Sequence, residues 1–114
     1  MIDKLIHISS ELEETVNIIS SQFDIHEKVI IDHPDSVAMV DIHRLLTEKI
    51  EDLIHTNFEK LCNILYRIDV DPKKVNEVFS SVKANEIPPE LSRLIIDRQL
   101  AKIKTRNFYR SQKD

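Results

Sequence analysis

Apolar residues along this chain recur at steps of three and four over most of its length, the period at which one face of an α-helix is buried. Leu5, Ile8, Leu12, Val16, Ile19 and Phe23 form the first such run. Its start has two readings, one at Asp3 and one at Ser10, since Ser10 and Glu13 have the spacing of a capping box. The pattern then dissolves over residues 24–40. Val29, Ile30 and Ile31 are consecutive there and Pro34 forbids a continuing helix, so this stretch reads as a connector holding a helical turn or an extended piece.

From Asp41 the period returns through Ile42, Leu45, Leu46, Ile50, Leu53, Ile54, Phe58, Leu61, Leu65 and Ile68. One long helix accounts for it. A break at residues 55–57 is the alternative, because Thr56 and Glu59 repeat the capping-box spacing beside Asn57, a residue that tolerates turns. Asp71 before Pro72 is an N-cap followed by proline at the first helical position. Val75, Val78, Phe79 and Val82 then predict a short helix ending at residues 83–85. Pro88, Pro89 and Glu90 open a last helix through Leu91, Leu94, Ile95, Ile96, Leu100, Ala101 and Ile103, expected to fray beyond Thr105. On a helical wheel its apolar residues take two sides, Ile96, Leu100 and Ile103 on one and Leu91, Leu94 and Ile95 on the other. Such a helix is central to a bundle or covered by a second subunit.

These elements predict an all-α fold, a compact bundle of four to five helices joined by short Pro, Asp and Asn turns. One domain is expected over residues 1–114, with a basic, frayed segment at residues 105–114.

Composition narrows the chemistry. Glycine is absent from all 114 residues, which weighs against tight hairpins, dinucleotide fingerprints and phosphate-cradling loops together. It also leads us to expect helix ends set by capping and proline instead of left-handed turns. At 41% hydrophobic and 32% charged residues, the chain falls in the folded globular class. The single Cys62 fits a reducing compartment. No basic leader and no apolar stretch of spanning length is present, so a cytoplasmic location without membrane contact is the expectation.

Charge is unevenly placed. Residues 1–97 hold 10 Lys and Arg against 19 Asp and Glu, residues 98–113 hold six basic and no acidic residues, and with Asp114 the net is −4. Arg98, Lys102, Lys104, Arg106 and Arg110, with Phe108 and Tyr109 beside them, are the candidate contacts for nucleic acid or an acidic partner. The competing reading folds this arm back onto the acidic body or sets it against its own helix dipole.

The segment NFEKLCNILYRIDVDPKKV from Asn57 and the segment LIIDRQLAKIKTR from Leu94 carry a resemblance. Residues 53–106 resemble a family of short, uncharacterised, all-helical proteins of Bacteroidetes-type bacteria. The resemblance implies a helical fold and a cytosolic setting, and it brings no functional residues.

Other constellations have plainer explanations. Asp69 and Asp71 have the spacing of carboxylates that share a cation, but no glycine turn or further oxygen ligands follow. Asp71 is read as a cap and Asp69 as the partner of Arg67 or Lys73. Glu51, Asp52, His55 and Glu59 share a helical face, yet the Asp-x-x-His unit has no second copy of the kind carboxylate-bridged di-iron bundles use. His26, His33 and His43 would have to join through tertiary structure. Cys62, on the side of Phe58 and Leu65, is read as a buried small hydrophobe.

No metal, cofactor or catalytic residue is therefore assigned. The leading expectation is a non-enzymatic protein-interaction or adaptor module that binds a protein partner or itself as a homodimer. The alternatives are a nucleic-acid-associated protein using the basic helix and a small metal-dependent helical enzyme.

Overall fold

Among the described residues of this glycine-free chain, three of five α-helices open on a side chain that accepts an otherwise unpaired backbone N–H. The structure, a computed structural model, describes residues 9–29 and 34–112. Helix α1 spans Ser10–Phe23 and starts where Ser9 Oγ accepts from Leu12 N at 3.2 Å. Helix α2 is Asp35–Thr56, α3 is Phe58–Arg67, α4 is Pro72–Ser81, and α5 is Ile87–Gln112, preceded by a 3₁₀ turn at Ala84–Glu86.

Several boundaries differ from the sequence expectations. Ser9, not Ser10, is the first cap, and the alternative start at Asp3 lies outside the described residues, as does His33. Helix α2 begins at Asp35, six residues before Asp41, because Pro34 sits at the N-cap, where its missing N–H costs nothing. The Asp35 carboxylate accepts from Ser9 N at 2.8 Å and so ties the starts of α1 and α2 together. The break at residues 55–57 is real, but Asn57 makes it. Its side chain accepts from Lys60 N, while Thr56 Oγ1 turns back to the Asp52 carbonyl. Asp71 caps α4 as its spacing predicts, accepting from Lys73 N at 2.9 Å. Helix α5 runs past Thr105 through Gln112.

Two helix ends do use left-handed backbone. Asp24 has φ 55° and Asp69 has φ 65°. At the end of α1, Ile25 N reaches back to the Ser20 carbonyl at 2.9 Å; at the end of α3, Val70 N reaches the Leu65 carbonyl at 3.2 Å. Both are Schellman closures with aspartate where glycine is usual, and the residue that follows each, Ile25 or Val70, is buried. Aspartate tolerates this region better than most residues because its short polar side chain bonds locally. Here each carboxylate instead finds a cation on another helix, Asp24 with Lys60 and Asp69 with Arg98.

Helix α5 is the central strut, packing on α1, α2 and α4, while α3 packs against α2. Leu91, Ile95 and Ile96 of α5 meet Leu12, Ile19 and Phe23 of α1 and Ile42, Leu46 and Ile50 of α2 in one core, with Leu61 and Ile64 of α3 closing it. Polar groups inside are satisfied: Ser92 bonds Thr47 at 2.8 Å, Thr15 donates to the Glu11 carbonyl, and Gln99 donates to the Ile68 carbonyl. Among the described residues no helix is long and apolar enough to cross a membrane.

Candidate interaction surface

Arg98 and Arg106 of the basic helix are already engaged inside the chain. Arg98 donates through Nε to the Asp69 carbonyl at 3.0 Å and through a terminal nitrogen to its Oδ2 at 2.8 Å. This replaces the expected pairing of Asp69 with Arg67 or Lys73. Arg67 instead reaches Gln22. The Arg98 guanidinium, with Lys102 adding a weaker field, holds the Asp69 carboxyl below its ordinary value. Arg106 is clasped by Glu14 of α1. The basic arm thus folds in part onto the acidic body, while Lys102, Lys104 and Arg110 stand exposed.

The two apolar sides of α5 have different fates. Leu91, Ile95, Ile96 and Ile103, with Gln99 and Ser92, are buried, and both Ile96 and Leu91 are covered within the one chain. Most of the two-sided pattern therefore needs no second subunit. The opposite face starts at Leu94, which is partly buried against the core, is interrupted by the charged Asp97 and Arg98, and resumes with Ala101, Thr105 and Phe108. Helix α4 packs on α5, and Arg98 is pinned to the turn just before α4. Beyond that point this face is open. Ala101 and Thr105 are exposed, Phe108 is 58% exposed, and Tyr109 stands edge-on to Phe108 with ring centroids 5.6 Å apart. On the wheel Lys102 borders the stripe on one side and Lys104 on the other.

A second exposed region lies between α3 and α4. Leu65, Val70 and Val75 line an open groove whose edge carries Tyr66 and Cys62. Cys62 is exposed, contrary to the burial read from its neighbours. Helix α3 buries Leu61, Ile64, Leu65 and Ile68, so Phe58, Cys62 and Tyr66, at steps of four, share its outer side. Phe58 leans on Phe79 of α4 instead of the core. Spacing alone does not separate the two faces, because Phe58, Leu61, Ile64 and Leu65 are all apolar.

The carboxylates beside His55 form no ligand set. Among the described residues no three His, Cys, Asp or Glu side chains come together as a metal site. His43 is occupied structurally, its Nε2 lying 3.0 Å from the Pro89 carbonyl, which makes that nitrogen the donor. Scans against family models, curated proteins and solved structures found no match to this chain.

Proposed function

We propose that this protein is a non-enzymatic helical interaction module that presents the open face of α5 to a protein partner in the cytoplasm. The observation that carries the reading is an exposed surface of α5 beyond its intramolecular cover, where the small residues Ala101 and Thr105 lead to Phe108. A helix face of this kind, small residues followed by an aromatic, suits docking of another helix. The bacterial, cytosolic setting implied by the resemblance of residues 53–106 accords with it.

A size measurement tests the reading. In extract of its own cells the tagged chain should migrate as a species larger than its 13.4 kDa. Ala101→Arg, placed on the open face, should return it to the free size with unchanged helicity. Wild-type protein migrating as the free chain overturns the proposal. Light scattering on purified protein separates the two kinds of partner: a dimer means self-association, and a monomer means a different chain.

A nucleic-acid reading draws on the same helix end, where Phe108 and Tyr109 stand among Lys104 and Arg110. It is the weaker of the two, because Arg98 and Arg106 are already neutralised by Asp69 and Glu14. It requires oligonucleotide binding that falls steeply with added salt.

A further inference from the structure

Resting on that reading, we infer that the partner segment is an amphipathic helix whose apolar stripe is bordered by acidic side chains, laid along residues 101–108 of α5. Three features of this surface specify it. Ala101 and Thr105 lie one turn apart and carry small side chains, so a partner backbone comes close, and Phe108 one turn further supplies the anchor. The stripe is about two turns long, matching the contact a short helix makes.

The borders are cationic on both sides. Lys102 and Lys104 flank the stripe, and α5 itself carries no acidic residue from Arg98 to Gln112. Lys104 has no ion pair or hydrogen bond among the described residues, and Lys102 acts only at a distance on Asp69. A basic partner would bring like charges together around a desolvated stripe, which costs affinity, whereas Asp or Glu at the partner's flanks gains it and fixes its register.

The same placement argues against a phosphate backbone as occupant. The row that would track phosphates is Arg98, Lys102 and Arg106, at steps of four, and two of its three cations are held by Asp69 and Glu14. The remaining Lys102 and Lys104 face opposite sides of an apolar surface. That geometry suits the two flanks of a helix.

Photo-crosslinking tests this on the full chain in its own cells, with p-benzoylphenylalanine replacing Phe108 and the adducts mapped by mass spectrometry. The expected adduct lies in another protein, in a segment with apolar residues at helical spacing and Asp or Glu on both flanks. Lys102→Glu with Lys104→Glu should lower its yield by about tenfold or more, with the thermal melt of the purified chain unchanged. If that pair destabilises the fold, Lys102→Gln with Lys104→Gln should still lower the yield by about threefold. An adduct to a protein segment without acidic flanks, or a yield indifferent to both charge changes, overturns the inference and leaves the module reading standing. Adducts only to a second copy of this chain, to nucleic acid or to lipid also overturn it. Absence of any protein adduct overturns both.

Discussion

Gln99 donates from Nε2 to the carbonyl of Ile68 at 2.8 Å, and the neighbouring Arg98 donates to the carbonyl of Asp69. Two consecutive residues of α5 thereby satisfy two consecutive carbonyls at the end of α3, groups that a helix end leaves without intrahelical partners. Gln99 is buried. Gln99→Leu fills the same space but strands the Ile68 carbonyl, and should cost about 1–3 kcal/mol in urea unfolding. Gln99→Glu should behave worse than Gln99→Leu at neutral pH, because it sets a carboxylate against a carbonyl oxygen. A loss no larger than that of an exposed substitution would show that this bond holds nothing.

Acid should act through the two aspartates that close α1 and α3. Lys60 holds Asp24 and Arg98 holds Asp69 below the ordinary 3.8, in each case first by a side-chain hydrogen bond and then by charge. Arg93, chiefly through a side-chain hydrogen bond, likewise holds Glu90 below its own ordinary value of 4.5. Folded values that lie below the unfolded ones mean that the stabilisation is fully present above the ordinary carboxylate value. It is lost as pH falls through the depressed folded values. Stability measured from pH 7 downward should therefore hold steady until about pH 4–5 and then fall. Asp24→Asn with Asp69→Asn should flatten the acid limb; an unchanged limb would place the acid sensitivity elsewhere.

Backbone shape at these positions gives a separate prediction. At Asp69, φ 65° favours residues that tolerate left-handed geometry. Thermal melts of Asp69→Asn, Asp69→Ala and Asp69→Val should rank in that order, with valine least stable because its branched Cβ clashes most. All three lose the ion pair with Arg98, and since asparagine can still accept a hydrogen bond from Arg98, the difference between alanine and valine is the one that reports the backbone alone. Equal melting temperatures would mean that the turn relaxes out of the left-handed region.

Cys62 offers a direct check on the outer side of α3. Its thiol is exposed, so a thiol reagent such as Ellman's should label native protein without denaturant. Cys62→Ser should leave stability within about 0.5 kcal/mol, as for other surface changes. Labelling only after unfolding would restore the buried reading.

The helical character of the chain, the Asp71–Pro72 boundary and the break before Phe58 are legible from spacing and capping residues, because those signals act within a few positions along the chain. The two left-handed closures are not. Nothing local distinguishes Asp69 from an ordinary exposed aspartate until Arg98, 29 residues away, is seen to hold it. Cys62 misleads for a related reason: a three-to-four period leaves two adjacent faces of α3 open, and only packing against α2 selects the one that buries Leu61 and Ile64. At the interaction surface the charge run was visible in the residues, but its division between engaged arginines and exposed lysines depends on Glu14 and Asp69 in distant helices.

The pairing of α1 with α5 has a consequence for how the chain is made. Arg106 and Glu14 are 92 residues apart, and α1 packs more extensively on α5 than on α2. At ribosomal speeds of about 5–20 residues per second, Leu12, Val16, Ile19 and Phe23 emerge several seconds before the helix that covers them. During that interval the apolar face of α1 lacks its main partner and stays uncovered until α5 has emerged.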